Sequence, residues 1–506
     1  MKYATLINGL LPLILYASCS LAGAPIATET PLPTQTSTRA PTIPPTFTQA
    51  PTSTEAPTKT PRPDEPLGAF RVRTEFNGIL DSDADWGGPD FSIAAGPTVL
   101  VLATNNVVVI MDKTGKVIDQ KLMGDFIASF RLAGINLSTA DPRLLYDPQT
   151  QRFFLVQSDK NGPEPECFPV CEGKITLAVS KSSAPVSLGP QDWYFYIFDR
   201  SLQKTADGQT RVIEDAGDFD NLAILGSVLA VSWASLKGPG DWSVGRQVRF
   251  IDLEPLLRGV SSDNWIDVTG TGGILAVNVD EPDSFFMVDS IPSDFRIWVI
   301  TDPLAFPVVS SRKPLVLSAS LNAPPPAPQL GGPTIDSMGQ TAQAVHQGGS
   351  LWIATGIRKN FGSGIVGAIM WMQVDVSGWP ETRVVQSGVL GQDAAWYFNP
   401  TIMVNELGDM SVFYVRSSAD SYPSLYFAGR LAADPPGELR PANLLIGGHV
   451  AYDRTVNGIR NQYVDYMGMA LDPEDGSAWM FGPYPRGVER SASWIGNIDW
   501  ITVTRP

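Results

Sequence analysis

Histidine is nearly missing from this chain, with two in 506 residues. That scarcity excludes His-rich metal centres and the paired-histidine motif of zinc proteases. Charge is scarce too, at 17% of residues, where soluble domains usually carry roughly 25%. The basic sign is the scarcer one: 36 Lys+Arg stand against 52 Asp+Glu, a net charge of −16 at pH 7. No basic stripe is available for a phosphate backbone, which argues against nucleic acid as a partner. The G-x-S-x-G elbow of serine hydrolases and the G-x-x-x-x-G-K phosphate loop are both absent. Beyond the N-terminal region there is no run of 18 or so apolar residues, so an embedded spanning helix is not expected.

Turn formers, by contrast, are plentiful, with 46 Gly and 43 Pro. A charge-poor, Gly- and Pro-rich chain suits many short strands joined by turns better than long surface helices. The N-terminal stretch reads as an export signal (1–19): Lys2 supplies a minimal positive region and LLPLILYAS (10–18) a short apolar core. Small residues lead into Cys19, an arrangement that resembles a bacterial lipoprotein signal with Cys19 as the acylated residue. Tyr16 departs from the usual aliphatic residue, which leaves ordinary cleavage near Ala22 to Ala24 open.

Residues 20–66 form a linker in which more than half of positions 25–66 are Pro or Thr. Such a segment has no apolar period to bury and should be a solvated, disordered stalk. Fully extended, it would reach roughly 100 Å. The expected picture is a folded module held away from a membrane by a lipid and a stalk. Two further cysteines, Cys167 and Cys171 in CFPVC, would close a small disulfide loop in an oxidising compartment. A redox dithiol is the sharper alternative, although the C-x-x-C spacing is not present.

From 67 to 506 the chain repeats itself. PDFSIAAGPTVLVLAT (89–104), ADPRLLYDPQTQRFFLVQS (140–158), FDNLAILGSVLAVSW (219–233), AQAVHQGGSLWIATG (342–356), FNPTIMVNELGDMSVFYV (398–415) and VDYMGMALDPEDGSAWMFG (464–482) share one plan. Each has a polar start, a short apolar strand, a tight turn and a second apolar strand. Repeated β-meanders without helical periods predict an all-β fold, a single β-propeller of about seven four-stranded blades, with six or eight as neighbouring options. A large β-sandwich is the competing architecture. The last repeat supplies three strands for a four-stranded blade, and AFRVRTEF (69–76) is expected to pair there as the fourth.

The motifs DPRLLYDPQTQRF (141–153), DNLAILG (220–226), NPTIMVNELGD (399–409) and YVDYMGMALDP (463–473) resemble those of exported bacterial propeller-like proteins, mostly without an assigned activity. Two positions depart from that pattern: Phe153 stands for Trp, and Tyr463-Val464 stand for Trp-Gly. The resemblance implies a propeller fold and export. It implies no reaction.

The repeat puts Asp90, Asp141, Asp220 and Asn399 at matching offsets before a first strand, with Asp465 one position out. On a propeller these would ring one mouth of the central channel, with Arg143 and Arg460 beside them. One reading is a calcium or cationic-ligand site; the other is structural, each Asx side chain accepting backbone N–H groups at its strand entry. Asp81, Asp83 and Asp85 in DSDADWGG alternate as in calcium loops, yet no Glu closes an EF-hand, so a solvated acidic turn competes. Asp147 and Asp472 precede prolines at hairpin tips, where local turn roles are expected. His346 and His449 lack a serine partner in sequence and read as core or loop residues. The functional expectation is a monomeric, extracytoplasmic binding or scaffold module for glycan or protein, without a required cofactor. The alternative is a carbohydrate-active hydrolase or lyase built from Arg143, Arg460, Tyr463, Asp141 and Asp465.

Overall fold

A computed structural model of the chain describes residues 70–500, apart from 80–89, 131–138, 160–172, 214–216, 236–244, 292–293, 313–322, 338, 340, 342, 457–459 and 489. Strand is the dominant regular structure of the described part, and its repeating unit is an antiparallel four-strand meander. Seven occur among the described residues, at 92–122, 139–199, 218–271, 274–312, 344–390, 396–446 and 468–499. The last of these holds three strands and takes its fourth from Arg71–Asn77. Register runs from Arg71 opposite Asp499 to Asn77 opposite Trp494, which fulfils the pairing expected of 69–76.

The apolar runs explain why the meanders stack. In the first one, Val99–Ala103 and Val107–Val109 are buried along their whole length, without the in–out alternation of a one-sided sheet. Such continuous runs belong to strands covered on both faces. Each fully buried Val or Leu stabilises by about 1.5–3 kcal/mol relative to exposure. The outermost strands do alternate, as in Arg71–Asn77 and Arg383–Leu390, where one face meets solvent.

The first strands of the meanders are neighbours in chain order. Ser92–Ala95 lies against Thr139–Asp147, that strand against Asp218–Leu225, and so on to Gly468–Leu471, which lies against Ser92–Ala95 again. Ile274–Asn278 and Ala344–Gln347 pair in parallel, merging two meanders into one eight-stranded sheet. Asp90 forms a parallel bridge to Tyr466 where the first and last meanders meet.

Two short helices interrupt the strands, Met123–Ala128 and Leu253–Leu257. At six and five residues they are too short to leave a helical period in the sequence, so the reading without helices missed them. Asp252 caps the second by accepting from the Glu254 amide. No described helix is long and apolar enough to cross a membrane.

Candidate functional site

Three first strands begin with the same irregularity. Pairing slips between Ala140 and Arg143, between Asp218 and Asn221, and between Phe398 and Thr401. Each slip sets two residues against one on the partner strand: Asp141-Pro142 against Gln157, Phe219-Asp220 against Trp233 and Asn399-Pro400 against Tyr414. A bulge accommodates prolines that cannot donate to a ladder, and it re-aims the neighbouring side chain. Asp141 and Asn399 take φ values of 56° and 50°, the left-handed region that Asp and Asn tolerate better than most residues.

The re-aimed side chains meet. Asp90, Asp141, Asp220 and Asp465 are all buried, and Asp218 joins them half-buried. Burial, and then repulsion from Asp465, pushes the Asp90 carboxyl up to about 8. Asp141 is driven well above the usual carboxylate range by burial and by Asp90 and Asp218. Asp220 is also raised by burial, although the Arg200 guanidinium opposes the shift.

Cations and hydroxyls hold this charge in place. Arg200 Nη2 donates to both Asp220 oxygens, at 3.1 and 3.2 Å, with both residues fully buried, and Ser158 Oγ donates to Asp220 Oδ2 at 2.5 Å. The Arg143 guanidinium lies 3.4 Å from the Tyr466 ring centroid, and its Nε donates to the Asp220 carbonyl at 3.2 Å. Tyr466 in turn donates its hydroxyl to the Pro142 carbonyl at 2.9 Å. Arg246 belongs to the same group, its pKa lowered to about 10 by burial and by Arg143. Asn105 ties two meanders together: its Nδ2 donates to Asp90 Oδ2 at 2.7 Å, and its Oδ1 accepts from the Asp141 amide at 3.2 Å.

Five of the seven residues expected at the channel mouth are therefore neighbours: Asp90, Asp141, Arg143, Asp220 and Asp465. Asn399 reaches the last of these through backbone, its Nδ2 donating to the Val464 and Asp465 carbonyls at 2.6 and 3.1 Å. Arg460 sits in the strand Arg460–Asn461, and its side chain lies outside the described residues. The acidic residues form a buried belt where the first strands begin, three of those strands starting with a bulge. Among the described residues no group of three or more His, Cys, Asp or Glu is arranged to hold a metal ion. Cys19, Cys167, Cys171, Asp81, Asp83 and Asp85 lie outside the described residues.

A cavity of about 470 Å³ lies further along the same strands. Six meanders line it, through Phe91 to Ala95, Arg143 to Tyr146, Asn221, Asn278, Met403 with Asn405, and Met467 to Leu471, and Gln343, just ahead of the meander at 344–390, completes the wall. Only Arg143, of the seven residues expected at the mouth, reaches it. Hairpin turns at Pro148, at Glu406-Leu407 and at Glu474 to Gly476 also line it, and Pro148, Glu406, Leu407, Glu474 and Asp475 are exposed. The cavity therefore meets solvent at the turns, beyond the end of the strands remote from the acidic belt.

Other candidates are engaged in structure. Tyr463 is buried, donates to the Pro483 carbonyl at 2.9 Å and packs edge-on against Tyr452. His346 is buried in its strand, with Nδ1 at 2.6 Å from Asp280 Oδ1 and its ring stacked on Phe286. His449 packs edge-on against Tyr484. Asp147 accepts from the Thr150 amide and hydroxyl, a local turn role, whereas Asp472 accepts from the Glu474 amide and the Trp479 indole and also pairs with Lys113 of the first meander. Sequence reasoning missed Arg200, Asp218, Arg246, Tyr466, Asn221 and Asn278. Asn221 and Tyr466 stood inside quoted motifs, so a signal existed; Arg200 and Arg246 sit at strand ends with none.

No family model and no curated protein matches this chain. Among solved structures, Drosophila Semaphorin 1b, extracellular domains 1-2, aligns at a TM-score of 0.37 and 7% identity, covering 85% of this chain and 87% of that one. Trypanosoma rangeli sialidase in complex with the inhibitor DANA aligns at 0.34 and 7%, covering 84% and 60%. An alpha-L-arabinofuranosidase from Lactobacillus brevis aligns at 0.30 and 11%, covering 71% and 92%. With every one of these TM-scores below 0.4, the likenesses carry no argument about what this chain does.

Proposed function

We propose that the chain is an exported binding module: one closed propeller of seven four-stranded blades, anchored by lipid at Cys19, whose central cavity receives a glycan. The cyclic order of the first strands, with the last lying against the first, supports the closed ring. One observation carries the binding reading: a single cavity of about 470 Å³ is lined by six of the meanders and by Gln343, the residue just ahead of the remaining one. That size falls within the usual range for small-ligand sites, roughly 300–1,000 Å³. Its walls alternate carboxamides with apolar surface, Asn221, Asn278 and Gln343 beside Phe91, Met403 and Met467. Amides suit sugar hydroxyls, and the apolar groups suit the C–H faces of the rings.

Hydrolysis is the weaker reading. A glycosidase sets two carboxyl groups on either side of the scissile bond, in reach of substrate. Here the raised-pKa acids Asp90 and Asp141 are buried away from the cavity lining, and Tyr463 is committed to the Pro483 carbonyl. The test is a glycan panel incubated with the full chain, followed by analysis of the bound sugars. Capture that disappears in Asn278→Phe, a change that fills the cavity, supports the reading. Capture by no member of the panel overturns it, and release of shortened sugars would replace binding with catalysis.

A further inference from the structure

Resting on that reading, we infer that the cavity selects glycans bearing free ammonium groups, amino sugars whose nitrogen is not acylated. Glu406 and Glu474 lie on the turns of neighbouring meanders, line the same cavity and are exposed. Neither has an ion-pair partner among the described residues, whereas the other two carboxylates of the rim are matched. Asp472 pairs with Lys113 at 2.7 Å, and Asp475 pairs with Arg73. The two unmatched charges are thus left facing the entry.

Deeper in, Asn221 is only 7% exposed, lines the cavity and makes no side-chain hydrogen bond among the described residues. On the adjacent first strand, Asn278 donates through Nδ2 to the Ile224 carbonyl at 3.0 Å, while its Oδ1 is buried without a partner. Asn221 is thus a carboxamide held on the cavity wall without a partner among the described residues, poised for a ligand that completes it. Hydroxyls of a sugar supply that match. Phe91 and Met467 offer the apolar contact for its ring faces. The one cation in the lining, Arg143, is already stacked on Tyr466 and bonded to the Asp220 carbonyl, deep at the belt end. The charge left unbalanced at the entry is negative, and its complement is an ammonium group.

Three ligands with one backbone decide the matter: β-1,4-linked tetramers of glucosamine, N-acetylglucosamine and glucose. Calorimetric titration of the full chain at low ionic strength and about pH 6, where the amines are protonated, should rank glucosamine first by about tenfold or more. Glu406→Gln with Glu474→Gln should erase that preference. The charge-matched control Glu381→Gln with Glu438→Gln, exposed and away from the cavity, should keep it. Asn221→Ala should weaken all three tetramers alike. Equal binding of the three overturns the ammonium selectivity and leaves the glycan reading standing. If none of them binds, the ammonium selectivity falls and the glycan panel alone decides the broader reading. A preference that survives the Glu406/Glu474 change, or that the control also removes, assigns it to the general negative charge and overturns the site.

Discussion

Arg71 and Asp499, 428 residues apart in sequence, face each other across the outermost strand pair, with Arg71 Nη2 3.1 Å from Asp499 Oδ2. The ion pair is exposed on the Arg71 side, at 64%, so by itself it contributes little. The weight lies in what the strand carries inward. Phe76 packs against Trp479, Phe70 against Phe427, and the Ile79 amide donates to Ser493 Oγ at 2.7 Å. Arg71→Ala should therefore leave the melting temperature nearly unchanged. Phe70→Ala should lower stability by about 3 kcal/mol, and deleting 67–78 should bare the edge of Arg490–Asp499 and reduce solubility. A truncation that melts like the parent would show that the N-terminal strand does not complete the last meander.

The Arg200–Asp220 pair gives a second, sharper expectation. Both side chains are fully buried, and Gly217 is required beside them, since a Cβ there would overlap the Arg200 guanidinium. Arg200→Met removes one charge and leaves Asp220 uncompensated, which should cost about 3–5 kcal/mol in urea unfolding. Adding Asp220→Asn to that variant should recover a large part of the loss, because no orphan charge then remains. If the double variant is as unstable as the single one, the pair matters for shape and not for charge.

The expectations about export concern residues outside the described part and are checked chemically. Cys19→Ser should move the protein from the membrane fraction to the soluble one, since a chain without that thiol cannot be acylated. Intact-mass alkylation of denatured, unreduced protein should leave Cys167 and Cys171 unmodified. Two alkylated thiols would rule out their disulfide.

How far the sequence could be read follows from the physics of each feature. Meander strands were legible because strands buried on both faces must be continuous apolar runs, as in VLVLA (99–103). The pairing of 69–76 was legible because the last repeat lacked a strand. The Asp and Asn positions were legible as a repeat, yet their role was not, because a two-residue bulge turns the side chain and leaves no trace in periodicity. Burial of Asp90 and Asp465 depends on the meeting of the first and last meanders, a contact between positions more than 370 residues apart. The cavity depends on the same long-range contacts. Asn221 and Asn278 look like any other strand asparagines until seven strands converge.

The acidic belt should make the fold weaker as pH rises. Asp90 has an ordinary value of 3.8 and is pushed up to about 8 in the folded chain, by burial first and Asp465 second, with Asn105 and Arg143 opposing. Between those values the folded protein holds a proton that the unfolded chain has released. Stability from this group is thus intact below about pH 4, declines as pH rises, and levels off above about pH 8. Asp141, raised by burial and by Asp90, has the same sign. Asp90→Asn keeps the shape and the Asn105 contact while removing the charge at every pH. Its stability relative to the parent should be near zero at about pH 4 and should grow to on the order of 2 kcal/mol at about pH 8. The measurement is urea unfolding of both proteins across that range, read as the difference between them so that other titrations cancel. A difference that is flat with pH, or that favours the parent at the alkaline end, would mean that Asp90 is ionised and paired throughout, with Arg143 and not a bound proton neutralising the belt.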